Sequence, residues 1–176
     1  MSADARKVVL VEYDTQWPIR FREEAERIRG AIGRAVVSIE HIGSTAVSGL
    51  VAKPILDILV GVRRLEDSAE CVGPLGGIGY EYVPEHEALF PERRYFHKGP
   101  PGRRTHHMHL VEYGGGFWTE HVLFRDYLRT HPDEATRYAS LKRELAALVG
   151  HDPHLYTDGK TAFIRHAVAK ARKGIS

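Results

Sequence analysis

Residues 41–59 read HIGSTAVSGLVAKPILDIL, and they indicate two strands joined by a turn. A run rich in β-branched residues ends at Gly43-Ser44, and after a short turn a second apolar run follows that contains one carboxylate, Asp57. Such runs, bounded by turn residues, are typical of strands. A charge inside one is costly to bury unless a cation, a metal ion or hydrogen bonds compensate it. Asp57 is therefore the first candidate for chemistry.

The sequence around this stretch predicts a sheet followed by helices. A helix with Pro18 in its first turn is predicted to end near Gly33, and a second one at Leu65–Leu75. Strands are predicted at Ala35–Ile42, Lys53–Val62, Tyr80–Val83, Arg93–Lys98 and Thr105–Tyr113. After Gly114 the apolar period becomes helical, at Phe117, His121, Phe124 and Leu128, then at Tyr138, Leu141, Leu145 and Leu148, and again over Thr161–Arg172.

This order indicates an α+β protein: a small mixed sheet with helices, followed by a C-terminal helical segment packed on it. We expect one domain over residues 1–176, with a sheet-containing core at 1–113 and a helical part at 114–176. Its 43% hydrophobic and 27% charged residues are an ordinary balance for a single globular core.

The bulk composition narrows the function classes. A net charge of +2 is too small to make nucleic acid the expected main partner. Cys71 is the one cysteine, so neither an internal disulfide nor a cysteine metal site is expected. The sequence contains neither a signal-peptide pattern nor an apolar run of roughly 18–20 residues. We therefore expect a cytoplasmic protein with no membrane partner.

The Gly43-Ser44 pair is a candidate phosphate-binding turn. Backbone N–H groups and a hydroxyl at the start of a helical turn can hold phosphate oxygens, and Lys53 supplies a nearby positive charge. The alternative is a structural one, in which Ser44 is a helix N-cap and Gly43 a turn glycine.

Asp57 and two histidines are candidate metal ligands. Within its strand Asp57 lies on the face opposite Leu56, Ile58 and Val60. In THHMHLVEY, His107 and His109 share one strand face, and imidazole is a common transition-metal ligand. The alternatives to metal binding are that Asp57 pairs with an arginine and that the two histidines are exposed or hydrogen-bonded.

Two further basic segments are candidate contacts for a substrate phosphate. PERRYFHKGP contains Arg93, Arg94, His97 and Lys98 on a predicted strand, which either binds phosphates or forms a charged sheet edge. YTDGK contains Lys160, at what is predicted to be the entry to the last helix.

Taken together, several separated blocks of this sequence resemble the GrpB family. They are EHIGSTAVSGLVAKPILDILVGV, RYFHKG, THHMHLVEY, LFRDYLRTHP and YTDGKTAFI, and they extend from about Val9 to Ile164. That family is assigned to the nucleotidyltransferase superfamily, which has a DNA polymerase β-like fold. Ser48 stands where family members commonly have proline.

The resemblance implies roles for the candidate residues. Gly43 and Ser44 would be the Gly-Ser signature that binds a triphosphate, and Asp57 would be the first of two carboxylates that hold divalent metal. The residue two positions further on, where active members usually have the second carboxylate, is Leu59. His107 and His109 could complete the metal site, although imidazole favours zinc, manganese, iron or nickel over magnesium.

Three functions follow from these observations. The first is a nucleotidyltransferase that uses Mg²⁺ or Mn²⁺ and transfers a nucleoside monophosphate from a nucleoside triphosphate to a small acceptor. In this enzyme the catalytic residues would be Ser44 and Asp57. The metal ligands would be Asp57, His107 and His109. The nucleotide would be bound by Gly43, Ser44, Lys53, Arg94 and Lys98. The second is an enzyme that uses a transition metal such as zinc at Asp57, His107 and His109.

The third function is a non-catalytic nucleotide-binding module, which the leucine at position 59 favours. The GrpB family is also found fused to a kinase of coenzyme A biosynthesis, so the resemblance implies a functional link to such a kinase.

Overall fold

A five-stranded mixed sheet forms the centre of the protein, whose computed structural model describes residues 7–174. The strands, in chain order β1 to β5, are Val36–Ile42, Leu56–Val62, Tyr80–Tyr82, Arg93–Lys98 and His106–Glu112. Their spatial order is β1-β2-β5-β4-β3. Strands β2 and β5 run parallel, and the other neighbouring pairs are antiparallel. The parallel pair brings Asp57 beside His107 at the centre of the sheet.

Six α-helices accompany the sheet in the described part of the chain. They are, in order α1 to α6, Trp17–Ile32, Ala69–Gly77, Gly116–Thr130, Pro132–Val149, Pro153–Asp158 and Thr161–Gly174. Short 3-10 turns lie at Ser44–Ala46, Leu65–Ser68 and Pro84–Ala88. None of the helices formed by residues 7–174 is long and apolar enough to cross a membrane.

The α+β prediction is confirmed, with differences at element ends. Strand β2 starts at Leu56 rather than at Lys53, because Pro54 removes a backbone donor and Ala52 forms an isolated bridge with Val11. The helix predicted at Leu65–Leu75 is a 3-10 turn that becomes α-helical only from Ala69. The short helix α5 was not predicted; Asp152 caps it by accepting hydrogen bonds from two backbone N–H groups.

The two faces of the sheet are different. On one face the residues pack under α1 and α2 into the largest apolar core, which contains Ile58, Phe96 and Met108, all fully buried. On the other face, Leu59 and Val111 pack against Trp118 of α3. The part of this second face nearer the Gly43-Ser44 turn carries polar side chains, and α3 borders it with Glu120, His121 and Phe124.

Candidate functional site

A cavity of about 690 Å³ opens over this polar part of the sheet. Side chains of three neighbouring strands form the floor of the cavity. Asp57 of β2 pairs with His107 of β5, and His109 of β5 pairs with Tyr95 of β4. Because residues at i and i+2 share a strand face, these side chains all project to the same side. The wall opposite comes from the C-terminal helices, which contribute the residues Tyr138, Lys142, Tyr156, Lys160, Ile164 and Arg165.

The Gly43 backbone brings the turn directly over Asp57. Gly43 has φ +71°, a left-handed conformation that side-chain-bearing residues rarely adopt, and a Cβ there would lie 2.5 Å from Asp57 Oδ2. The following 3-10 turn is held from two sides. His41 Nε2 lies 2.9 Å from Thr45 Oγ1, and Arg129 Nε donates to the Ala46 carbonyl at 2.9 Å. The glycine therefore makes room for the carboxylate beneath the turn.

Lys142 of α4 reaches the same turn from the helical side. Its Nζ donates to Ser44 Oγ at 2.8 Å and to the Val51 carbonyl oxygen, and the side chain is only 2% exposed. Burial, together with the charges of Lys160 and Arg143, lowers the Lys142 pKa from 10.5 to about 7. A lysine with this pKa responds strongly to any anion placed beside it.

Lys53 and Lys160 add positive charge beside the ring of Tyr156. The Nζ atoms lie 5.6 Å and 4.6 Å, respectively, from the centre of that ring, a cation–π arrangement. Burial and the neighbouring charge of Lys53 lower the pKa of Lys160 to about 8, against the opposing effect of Asp57. Burial raises the Tyr156 pKa to about 12, so its hydroxyl stays protonated and can donate.

Asp57 and His107 form a pair on the floor of the cavity. His107 Nδ1 lies 3.5 Å from Asp57 Oδ1, and both side chains are partly exposed to the cavity. Burial alone raises the pKa of Asp57, but the contact with His107 and the positive charge of Lys53 outweigh this, and the pKa is lowered. The carboxylate is therefore ionised at neutral pH.

The three predicted metal ligands lie on adjacent strands, but they are not a preorganised set. His109 Nδ1 lies 3.1 Å from Arg93 Nη1 and is engaged by it. Among residues 7–174, no group of three His, Cys, Asp or Glu side chains is arranged to hold a metal ion. The metal role of Asp57, His107 and His109 stays a prediction.

The structure brings most of the predicted site residues together. Those that line the cavity are Gly43, Ser44, Lys53, Asp57, His107 and His109. Arg94 and Lys98 are not among them, because alternate residues of β4 project to opposite faces. Arg94 Nε lies 3.3 Å from Glu87, and Lys98 donates to Glu24 of α1 at 2.7 Å. The structure therefore does not bring these two predicted nucleotide contacts to the cavity.

Arg93 and Lys142 line the cavity but are absent from the nucleotide contacts that the sequence predicts. The sequence predicts Arg94, the neighbour of Arg93, instead. Lys142 follows Tyr138 by four residues and so shares the predicted inward face of its helix. A charged residue on an inward helix face is the signal that could have identified it.

A solved structure with a similar arrangement of strands and helices identifies the class of fold. A crystal structure of the Cid1 poly(U) polymerase aligns with a TM-score of 0.51 and 10% identity, over 77% of this chain and 44% of that one. At that identity the match shows the fold alone. The sheet with its flanking helices therefore has a nucleotidyltransferase-like fold.

The family follows from closer matches. The family model described as GrpB protein matches residues 7–170, and the chain belongs to the GrpB family. The crystal structure of GrpB from Enterococcus faecalis is 37% identical with a TM-score of 0.86, over 95% of this chain and 99% of that one. The UPF0157 protein YqkA of Bacillus subtilis (strain 168) is 40% identical over 96% of this chain. The chain spans 48% of the length of that relative.

A more distant match is to a larger protein. A dephospho-CoA kinase of Mycolicibacterium paratuberculosis is 28% identical over 93% of this chain and 46% of its own length.

Proposed function

We propose that this chain binds a nucleoside triphosphate in the cavity and transfers its nucleoside monophosphate to a small acceptor, with Mg²⁺ or Mn²⁺ as cofactor. The proposal rests on one observation. The Gly43-Ser44 turn, Lys142 and Asp57 converge on one cavity, although they come from the sheet and from the C-terminal helices. The Cid1 structure, described as MgGTP-bound, shares this fold, which supports a nucleotide as the ligand.

The triphosphate is assigned to the basic side of the cavity. Lys53, Lys142 and Lys160 lie on that side, with the Ser44 hydroxyl as a neutral hydrogen-bond partner. Lysine ammonium groups act as point charges for phosphate oxygens, and partial burial strengthens the attraction. Their positive charge is not matched there by acids, because the cavity lining contains two carboxylates, Asp57 and Glu120, and Glu120 already pairs with Arg172.

The residues fit a divalent cation that is shared with the substrate rather than one caged by the protein. Asp57 offers one ionised carboxylate below a turn that has no side chain at Gly43. Mg²⁺ is usually bound through one or two carboxylates together with substrate phosphates. Asp57 would hold the ion, which when bound neutralises charge that develops on the phosphate oxygens.

The transfer step then requires a group that accepts a proton. An acceptor oxygen or nitrogen forms a bond to the α-phosphorus, the bond from that phosphorus to the α–β bridging oxygen breaks, and pyrophosphate leaves with the electron pair. The proton of the acceptor passes to His107, which Asp57 orients through the 3.5 Å contact at Nδ1. Positioning and electrostatics supply the rest of the rate enhancement.

One observation favours a second candidate, a nucleotide-binding module without turnover. Leu59 occupies the position where a second carboxylate is expected, and it is fully buried with Val111 and Trp118. Glu40, its partner across the strand pair, is held by Arg125 at 2.6 Å and so is not available to a metal. In this role the domain would assist another enzyme, and the match to a dephospho-CoA kinase makes such a kinase the partner to test.

The experiment that separates the two candidates measures pyrophosphate release. The protein is incubated with each of the four nucleoside triphosphates, Mg²⁺ or Mn²⁺, and pools of small hydroxy and amino acids as acceptors. Release that depends on both the acceptor and Asp57 supports transfer. Tight nucleotide binding with no release for any acceptor pool favours the binding module, and absence of nucleotide binding under all these conditions contradicts both.

A further inference from the structure

Arg93 occupies the far end of the cavity from the lysines and is surrounded by rings. Its guanidinium carbon lies 4.3 Å from the centre of the Phe90 ring, 5.2 Å from that of Tyr95 and 5.6 Å from that of Phe117. These contacts fix the plane of the guanidinium group without neutralising its charge.

The polar partners of Arg93 are two neutral histidines. Nη1 donates to His109 Nδ1 at 3.1 Å, and Nη2 donates to His86 Nδ1 at 3.2 Å. A guanidinium group only donates, so both Nδ1 atoms must be acceptors. Each ring is therefore the neutral form with its proton on Nε2. This agrees with the lowered pKa values of both rings, which burial causes in the first place and which the charge of Arg93 reinforces.

No carboxylate of residues 7–174 lies within ion-pair distance of Arg93, and its Nε is buried without a hydrogen-bond partner. Other partly buried arginines of this chain are paired, since Arg94 lies 3.3 Å from Glu87 and Arg125 lies 2.6 Å from Glu40. A partly buried cation without a counter-ion is costly. The arrangement is stabilised when an anion enters the cavity.

We propose that Arg93, together with His109 and Tyr95, forms a carboxylate-binding subsite for the acceptor, which rests on the transfer reaction proposed above. One guanidinium charge beside uncharged rings matches the single charge of a carboxylate better than the double charge of a phosphate monoester. The planar fork also suits a carboxylate. The substrate class is therefore a small carboxylic acid that also bears a hydroxyl or amino group.

The spacing of residues on β2 and β5 fits an acceptor that extends from Arg93 to Asp57. Asp57 of β2 pairs with His107 of β5, and His109 lies two residues further along β5 on the same face, a separation of roughly 6.5 Å along the strand. An acceptor held by its carboxylate at Arg93 and His109 can therefore place a hydroxyl or amine a few bonds away beside Asp57 and His107. A nucleotide held at Lys142 approaches the same point from the other side.

The test follows histidine side chains by ¹H–¹⁵N NMR while the whole protein is titrated with sodium acetate, at constant ionic strength set with sodium chloride. We expect the His86 and His109 signals to report Nε2-protonated rings at the start and to shift with acetate at millimolar concentration. Arg93→Gln is expected to weaken this response at least tenfold, and Arg93→Lys to weaken it less. Arg103→Gln, at an exposed arginine in a turn, is the matched control and is expected to respond as the wild type does.

Nucleotide affinity is measured in parallel with a non-hydrolysable triphosphate and Mg²⁺. If acetate binds through Arg93 but no nucleotide binds, the proposed transfer function fails while the anion subsite stands. If nucleotide binds but acetate shifts the histidines equally in wild type and Arg93→Gln, the subsite is refuted. It is also refuted if inorganic phosphate acts at lower concentration than acetate. If Arg93→Gln does not fold, Arg93→Lys takes its place, and a wild-type titration in which acetate leaves the His86 and His109 signals unshifted also refutes the subsite.

Discussion

The ammonium group of Lys142 lies 2.8 Å from the hydroxyl of Ser44, which comes 98 residues earlier in the chain. This contact joins helix α4 to the turn that follows strand β1. Because of this contact the loop after β1 forms one wall of the cavity. The contact also places a nearly buried lysine beside a turn whose backbone is suited to binding phosphate.

Replacing Lys142 by methionine tests this contact. We expect Lys142→Met to weaken binding of a nucleoside triphosphate 10- to 100-fold, or about 1.4–2.7 kcal/mol, because the point charge is lost while an apolar chain of similar length fills its space. Titration calorimetry measures the change. Lys173→Met, at an exposed lysine of the last helix, is the control and is expected to bind like the wild type. Equal affinity for wild type and Lys142→Met contradicts the role of Lys142.

Nucleotide binding is expected to weaken between pH 7 and pH 9. The pKa values of Lys142 and Lys160 are about 7 and about 8 in the free protein. A bound polyanion favours the charged ammonium forms and so raises both pKa values. The complex therefore holds more protons than the free protein in this range, and affinity must fall as pH rises.

Calorimetry at pH 8 in two buffers with different ionisation enthalpies measures this proton uptake directly. We expect uptake of a fraction of a proton or more, reduced in Lys142→Met. Proton release on binding, or no buffer dependence at all, is the result that counts against this coupling.

Gly43→Ala is expected to destabilise the protein more than Gly49→Ala. Both glycines have positive φ, +71° and +78°, but a Cβ at Gly43 meets Asp57 Oδ2 at 2.5 Å whereas nothing lies within 4 Å at Gly49. The left-handed conformation alone costs roughly 1–2 kcal/mol. We expect that cost at Gly49 and a larger loss of unfolding free energy at Gly43, measured by urea denaturation. Equal losses at the two positions contradict the close approach of the turn to Asp57.

Asp57→Asn distinguishes an enzyme from a binding module. If the chain transfers nucleotides, the substitution is expected to reduce pyrophosphate release at least 100-fold and to remove the part of nucleotide affinity that depends on Mg²⁺ or Mn²⁺, because the neutral amide is a poor ligand for either ion. Asp67→Asn, at an exposed acid outside the cavity, is the control. Unchanged release in Asp57→Asn contradicts the catalytic role of Asp57.

The sequence predicts the sheet, and the side to which Asp57, His107 and His109 project, for a physical reason. The β-branched and apolar run around Asp57 is typical of a strand, and His107 and His109 alternate with Met108 and Leu110, so residues two apart are placed on one face without any knowledge of the neighbouring strands. The same rule does not distinguish Arg93 from Arg94. A strand register shifted by one residue moves every side chain to the other face, and the adjacent arginines in RRYF do not reveal which of them faces inward.

The helical half of the cavity was harder to predict. Lys142 meets Ser44 only because α4 packs across the loop after β1, where Val47, Leu50 and Val51 join Tyr138 in an apolar cluster. Helical periodicity shows which side of α4 is buried, but not which segment covers it. The pairing of Arg93 with His86 and His109 likewise depends on where a 3-10 turn lies against β4.

Calorimetric titration of the wild-type protein with a non-hydrolysable nucleoside triphosphate, with and without Mg²⁺, tests nucleotide binding most directly. We expect micromolar to submillimolar binding that depends on the divalent ion and is weakened 10- to 100-fold in Lys142→Met. Absence of binding for all four bases, with Mg²⁺ and with Mn²⁺, would contradict it.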